Sequence, residues 1–448
     1  MKKLFGTDGI RGKANSYPIT PEIALQLGKA IAKVFKSKEG NTKAIIGKDT
    51  RLSGYMLETA LTSGLVSMGM DVLQAGPIPT PAVAHLTQTM GATCGIMITA
   101  SHNPSNDNGI KIFAGDGFKL DDDVEAEIER LVLGGDINAE HIDSGMIGKA
   151  YRIDDACGRY IAFAKNSIKS LSLKGLKIVL DCANGSGYFL APLIFEELGA
   201  EVISIAVKPD GHNINDKCGA THTEMLSEKV IEHKADVGIA LDGDADRVIF
   251  CDASGKEVNG DRIIGLCALD YFERNRLENN SVVITVMTNL GLIKRLEEEG
   301  INVEISGVGD RYVIEKMKEG NFNLGGEQSG HIIFMDYATT GDGIVSALHV
   351  LKVMITKKKT IAELADFMIE YPQQLVNINV KEKLPIDTVP ALKGIIEDCE
   401  KALGSDGRTL VRYSGTENKI RVLVEAKEQK DVDKWISKIS NVIEQELY

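Results

Sequence analysis

KAIIGKDTRLSGYMLETALTSGLVSMGMDVLQAG, residues 43–76, decides the fold. It reads as a strand (KAIIG), a helix (YMLETALTSGLVSMG) and a second strand (MDVLQAG). Two later stretches repeat the plan. Residues 176–206 run LKIVLDCANGSG, YFLAPLIFEELG, AEVISIA, and residues 281–307 run SVVITVMTN, LGLIKRLEEEG, INVEISG. Gly69, Gly199 and Gly300 fall where each helix needs its C-terminal cap. Strand–helix–strand units pair in parallel with helices covering the sheet faces. Three copies predict three related α/β domains in tandem, each a mixed sheet with helices on both faces. One large doubly wound sheet is the competing arrangement.

Working outward, Thr360 and Glu363 make a capping-box pattern for the helix TIAELADFM, and past it the pattern changes. A strand (QLVNINV), a helix over 387–402, two strands (RTLVRYS, KIRVLVEA) and a last helix follow. Val432, Trp435, Ile439, Val442 and Ile443 stripe one face of that last helix, as a core-facing helix requires. This predicts a smaller C-terminal α+β domain. Loss of periodicity over 134–148, the turn DASGKEVNG at 252–260 and the end of the helical run after Asp342 set the boundaries. The expected domains are 1–150, 151–253, 254–366 and 367–448.

The 448 residues suit about three domains of ordinary size or four smaller ones. Hydrophobic content of 43% and charged content of 26% are those of a globular enzyme. A net charge of −13 argues against a nucleic-acid or anionic-membrane surface, and it obliges any anionic substrate to be drawn by a local basic cluster. The seven cysteines are scattered and never spaced C-x-x-C, which suits reduced core thiols and neither a disulfide frame nor a zinc site. MKKLFGTDGIRG carries no apolar stretch behind its lysines, and no run approaches a membrane span, so a cytoplasmic location is expected.

Four stretches can carry chemistry. In GIMITASHNPSNDNGIKIF, residues 95–113, an apolar strand empties into a loop bearing Ser101, shaped by Asn-Pro and Asn-Gly turn pairs. The returning strand brings Lys111 near it. Ser101 taken alone reads as a turn serine capping its loop; no G-x-S-x-G elbow makes it an acyl-enzyme nucleophile. His102 either orients the loop or packs, and along an extended chain it points away from Ser101. In VGIALDGDADRVIF, residues 237–250, Asp242, Asp244 and Asp246 alternate after a strand, so period two sets the three carboxylates on one side. Such crowding needs a cation, and oxygen ligands suit a hard one, Mg²⁺ best. An EF-hand is excluded because its twelfth position is Ala253. A solvated acidic turn is the plain alternative; Gly243, Ala245 and the neighbouring Arg247 favour the metal.

In LGGEQSGHIIF, residues 324–334, Glu327 and Ser329 alternate at a spacing that suits two adjacent sugar hydroxyls, a polar turn being the alternative, and His331 is either a second site residue or an ordinary half-buried histidine. In LVRYSGTENKIRVLVEA, residues 410–426, Arg412, Ser414, Thr416 and Arg421 bracket a glycine loop with the donors of a phosphate nest. Arg11 and Arg311 follow glycine turns and serve either a site or the joining of domains. There is no complete G-x-G-x-x-G and no Walker A loop.

Taken together these motifs resemble the α-D-phosphohexomutase superfamily over essentially the whole chain, most closely its glucosamine-phosphate branch. FGTDGIRG (5–12), TASHNP (99–104), DGDADR (242–247), GEQSGH (326–331) and RYSGTE (412–417) stand in family order. The resemblance implies three α/β domains and a smaller fourth around a central cleft. It implies that Ser101 is a phosphoserine which, with Asp242, Asp244 and Asp246, binds one Mg²⁺. Lys111 becomes a candidate acid/base, with Arg11 and His331 close by. Arg247 falls between metal and substrate, Glu327 and Ser329 in the sugar loop, and Arg412, Ser414, Gly415, Thr416 and Arg421 in the phosphate loop. Tyr413 departs from the proline common in that branch. The implied reaction interconverts glucosamine 6-phosphate and glucosamine 1-phosphate through a 1,6-bisphosphate, which also primes the enzyme, and feeds UDP-N-acetylglucosamine and cell-wall precursor synthesis. Lys111 accepts a hydroxyl proton there only if cations lower its pKa. A phosphoglucomutase or phosphomannomutase of the same superfamily is the alternative. An inactive phosphosugar-binding regulator is the alternative from another class. A homodimer is left open.

Overall fold

The computed structural model describes residues 4–6, 8–35, 42–169, 171–414 and 418–448. These form two compact units. The first comprises Met1–Met287 and Gly300–Phe367, the second Thr288–Glu299 and Met368–Tyr448.

The first unit contains three separate sheets, which rules out the single doubly wound sheet. Sheet one runs β1 (Ile10–Lys13), β5 (Asp107–Ala114), β4 (Cys94–Ile98), β2 (Lys43–Lys48), β3 (Asp71–Pro77), β6 (Ala150–Arg152). Sheet two runs β11 (Glu257–Val258), β10 (Val248–Asp252), β9 (Val237–Leu241), β7 (Lys177–Asp181), β8 (Glu201–Ile205). Sheet three runs β13 (Asn302–Ser306), β12 (Ser281–Thr285), β14 (Leu324–Gly326), β15 (Ile332–Phe334). Beneath the different strand counts lies one order: a parallel pair, a third parallel strand, then an antiparallel return. It is β3-β2-β4-β5, β8-β7-β9-β10 and β13-β12-β14-β15.

The cause of the repeat is local. β4, β9 and β12 are buried throughout and rich in apolar side chains, the signature of parallel strands covered on both faces. Each repeated helix ends two residues before a glycine with positive φ: Gly69 at 88°, Gly199 at 98° and Gly300 at 81°. Helices Pro21–Val34 and Ser53–Ser67 cross so closely that a Cβ on Gly64 would stand 2.2 Å from the Leu25 carbonyl. Their apolar faces bury Leu27, Ile31, Leu61 and Leu65 against Ile46, Ile96 and Ile112 of the sheet. Among the described residues no helix is long and apolar enough to cross a membrane.

The second unit is a three-stranded antiparallel sheet, β16 (Gln373–Asn379), β18 (Lys419–Ala426), β17 (Gly407–Tyr413), backed by helices Pro390–Leu403 and Gln429–Leu447. The stripe of Val432, Trp435, Ile439 and Ile443 is its core, with Val442 packed beside it. The unit also includes the helix Leu290–Glu298, which the chain contributes on an earlier pass. There Leu290 N–H donates to Glu425 Oε1 at 2.7 Å, and Asn289 exchanges hydrogen bonds with the backbone of Tyr371, both at 3.0 Å.

Candidate active site

The three repeats place three loops in one structural position, the turn between the last parallel strand and its antiparallel return. Those loops are 99–106, 242–247 and 327–331, which carry Ser101, the three aspartates and Glu327 to His331.

Ser101 is buried and left-handed, with φ 52°. Its Oγ donates to Asp242 Oδ2 at 2.7 Å, and its N–H donates to Thr99 Oγ1 at 2.9 Å. The left-handed turn corrects the expectation drawn from an extended chain: His102 does not point away, and its Nδ1 lies 3.4 Å from Ser101 Oγ. The same nitrogen meets Arg247 Nη1 at 2.9 Å. Burial, Arg247 and Arg11 lower the His102 pKa to about 4, so the ring is neutral.

Asp242, Asp244 and Asp246 bring oxygens within 4.8 Å of one another, all buried. Period two is not the reason, because β9 ends at Leu241 and the loop turns through Ala245 at φ 56°. Gly243 lets this loop lie on the serine loop: a Cβ there would come 2.6 Å from the Ser101 carbonyl oxygen. Burial, Asp246 and Asp244 push the Asp242 carboxyl well above the usual range. Asp244 Oδ1 and Asp246 Oδ1 are buried without a hydrogen-bond partner among the described residues. Converging carboxylate oxygens left unsatisfied fit a hard divalent cation.

Around Lys111 the carboxylates outweigh the cations. Its Nζ donates to Asp244 Oδ2 at 2.9 Å and Asp246 Oδ2 at 3.0 Å, and lies 3.5 Å from Asp8 Oδ2. Burial opposes its charge, but Asp244, Asp246 and Asp8 outweigh burial and hold its pKa well above that of a free lysine. This overturns the expectation of a lowered value; the carboxylates that answer Lys111 are the crowded ones. Arg11 pairs with Asp8, and its Nη1 donates to the Ala100 carbonyl at 3.4 Å. His331 stands 3.6 Å from Asp246 Oδ1 and 3.6 Å from Asp310 Oδ2, which raise its pKa against the effect of burial. Arg247 bridges the backbone of His331, and its N–H donates to Asp242 Oδ1 at 3.2 Å. Ser101, the aspartates, Lys111, Arg11, Arg247 and His331 therefore form one connected network.

Glu327 and Ser329 lie in the third loop, their side chains 3.5 Å apart, with Glu327 Oε1 accepting from Gly309 N–H at 2.9 Å. Arg311 joins elements instead: it pairs with Asp122 and Glu125 and donates to the Leu120 carbonyl at 2.5 Å. In the second unit Arg412 and Arg421 are direct cross-strand partners, and Ser414 follows β17 with its carbonyl accepting from Lys383 Nζ at 2.6 Å. Gly415 and Thr416 lie outside the described residues. Burial and the facing Arg421 lower the Arg412 pKa.

Four participants escaped the sequence reading: Asp8, Thr80, Arg51 and Asn215. Thr80 Oγ1 donates to Asp244 Oδ2 at 2.5 Å. Arg51 and Asn215 donate to main-chain carbonyls of the serine loop. Backbone acceptors have no sequence signature. Asp8 alone offered one, inside FGTDGIRG.

The chain matches the family described as phosphoglucomutase/phosphomannomutase in all four parts: α/β/α domain I over residues 2–138, domain II over 158–255, domain III over 259–371 and the C-terminal domain over 375–442. A phosphoglucosamine mutase of Geotalea daltonii is 53% identical over 448 residues, covering 100% of this chain and 99% of that protein. One from Chlamydia abortus is 53% identical over 449 residues, covering 100% and 98%. Among solved structures, a phosphoglucomutase/phosphomannomutase family protein of Burkholderia thailandensis superposes with a TM-score of 0.81 at 22% identity, covering 99% of this chain and 97% of that one. Aspergillus fumigatus N-acetylphosphoglucosamine mutase, solved with GlcNAc-6P and magnesium, has a TM-score of 0.68 at 17% identity, covering 99% and 96%.

Proposed function

From the premise that the chain belongs to the phosphoglucomutase/phosphomannomutase family and is a mutase of the isomerase class, we propose that it interconverts glucosamine 6-phosphate and glucosamine 1-phosphate through a phosphoryl group carried on Ser101. The observation that carries this reading is the buried Ser101 Oγ held 2.7 Å from Asp242, at the edge of the aspartate triad. The amino-sugar specificity rests on the phosphoglucosamine mutases that are 53% identical over the full length.

The phosphorylated Ser101 gives its phosphoryl group to the O1 hydroxyl of glucosamine 6-phosphate, so the Oγ–P bond breaks as the O1–P bond forms. The 1,6-bisphosphate then reverses, and its 6-phosphoryl group returns to Ser101, leaving glucosamine 1-phosphate. One Mg²⁺ per chain would be held by Asp242, Asp244, Asp246 and the serine phosphate, and would supply charge stabilisation for the transferring group. Arg247 and Arg11 bring fixed positive charge to the same group, already oriented by their partners His102 and Asp8. Lys111, which Asp244, Asp246 and Asp8 keep protonated, is able to donate a proton and not to accept one, and His331, also beside Asp246, is the group able to take the proton of the sugar hydroxyl. Glu327 and Ser329 orient two sugar hydroxyls. Arg412, Ser414, Gly415, Thr416 and Arg421 take up a substrate phosphate. We further propose a location in the cytoplasm.

The test is turnover of glucosamine, glucose and mannose 6-phosphates by protein primed with glucose 1,6-bisphosphate, with and without a chelator. Preference for glucosamine, loss on chelation and recovery with Mg²⁺ are expected. Preference for glucose or mannose overturns the substrate, and activity untouched by chelation overturns the metal.

A further inference from the structure

Two side chains that take no part in the proposed chemistry converge on the Ser101 carbonyl. Arg51 is fully buried. Its Nη2 donates to Ser101 O and to Asn103 O, each at 2.9 Å, and its Nη1 donates to Pro104 O at 2.6 Å. Its Nε and its own backbone N–H are taken by the two oxygens of Asp49, both at 2.9 Å. Asn215, from the second repeat, donates through Nδ2 to the same pair of carbonyls, Ser101 O at 2.9 Å and Asn103 O at 3.0 Å.

We propose that Arg51 and Asn215 form a clasp on the serine loop, and that they are positioning residues which hold Ser101 in its left-handed turn so that Oγ faces the aspartates. The proposal rests on reading Ser101 as the phosphoryl carrier. A residue with a Cβ does not hold φ 52° by preference; such a conformation persists where surroundings over-determine it. Here both flanking peptides are fixed. Thr99 Oγ1 accepts from the Ser101 N–H and itself donates to Asp49 Oδ2 at 2.7 Å, while Arg51 and Asn215 take the Ser101 carbonyl. Asp49 thus links both ends, holding Thr99 with one oxygen that also holds Arg51.

The clasp directs charge as well as shape. A carbonyl oxygen is the negative end of a peptide dipole. Turned into the guanidinium and the amide, the Ser101 oxygen is kept from the side where a doubly charged phosphoryl group would sit. Release of the clasp lets the peptide after Ser101 rotate toward ordinary backbone angles, which moves Oγ and turns that oxygen loose together. Lysine in place of Arg51 keeps the charge but not the planar fork that reaches three carbonyls and a carboxylate at once.

The experiment uses the full chain with Asn215→Ala and, separately, Arg51→Lys. Phosphoryl loading of Ser101 from glucose 1,6-bisphosphate is followed by intact mass, and kcat and KM are measured for glucosamine 6-phosphate. All rates are normalised to the folded fraction. Loading and kcat are expected to fall together by about 100-fold, the scale of a misplaced reacting group, while KM changes by less than about threefold. If Arg51→Lys does not fold, Asn215→Ala decides alone. Loading and kcat per folded molecule within about threefold of the parent overturn the clasp, because a merely structural role would lower only the melting temperature. If the parent itself takes up no phosphoryl group, or Ser101→Ala stays active, the carrier reading fails instead, and the two failures are read separately.

Discussion

In the serine and aspartate loops, cations and carboxylates interleave. Lys111 answers Asp244, Asp246 and Asp8, Arg51 answers Asp49, and His331 lies between Asp246 and Asp310. In the C-terminal hairpin the arrangement is reversed. Arg412 and Arg421 face each other across β17 and β18, neither with an ion-pair partner among the described residues, and Arg421 Nε is buried without a hydrogen bond. Like charges directly opposite in a sheet cost stability. The contrast separates two uses of charge. The first region has its counter-charges built in and is ready for charge that appears during a reaction. The second holds an uncompensated positive pair that a bound phosphate would relieve.

The strongest way to break this contrast is Ser101→Ala. If the first region is the reacting one, turnover should fall by about 10⁴-fold or more with the fold unchanged, and intact mass should show no phosphoryl uptake. Residual activity near that of the parent would leave the interleaved charges as mere architecture. A weaker effect sharpens the other side. Arg421→Met should raise KM by about 10- to 100-fold, as loss of a charge-assisted hydrogen bond to phosphate does. The same variant should make the unliganded protein more stable, by about 0.5 kcal/mol in a thermal melt, because it removes a like-charge pair. A lowered KM, or a loss of stability, would contradict a pair that waits for an anion.

The smallest effect concerns the exception within the first region. Asp342 is a buried carboxylate answered, among the described residues, only by neutral donors: Tyr160 OH at 2.8 Å and the N–H groups of Ile344 and Val345. Burial raises its pKa to about 6, against these donors. A carboxyl with a raised folded pKa stabilises most below its unfolded value, and loses that contribution as pH rises through the folded one. The parent should therefore lose stability relative to Asp342→Asn between pH 4 and 6.5, by about 1–3 kcal/mol in denaturant melts. Equal slopes for the two proteins would show that the donors already satisfy the charge.

Much of this was written in the chain in readable form. The three repeated units, their capping glycines and the Trp435 stripe follow from periodicity, which local chemistry sets. The site motifs were legible as motifs, yet the geometry joining them was not. The three aspartates do converge, but through a turn at Ala245 rather than by strand alternation. Ser101 and His102 approach each other because of one left-handed residue, a conformation that a serine does not announce. The surroundings of Lys111 depend on Asp8, about a hundred positions away, and on a loop from another sheet. That the three site loops are one turn repeated was hidden as well, since their sequences share a place and no residue pattern.

The double passage of the chain through the C-terminal unit has a consequence for how this architecture can be taken apart or recombined. Helix Leu290–Glu298 lies inside the stretch matching the third family domain, yet it belongs compactly with Met368–Tyr448. A graft or truncation cut at residue 368 would therefore strand Glu425 without the Leu290 N–H and Tyr371 without Asn289. The compact unit is discontinuous in the chain, so a single cut at that boundary breaks contacts on both of its passes.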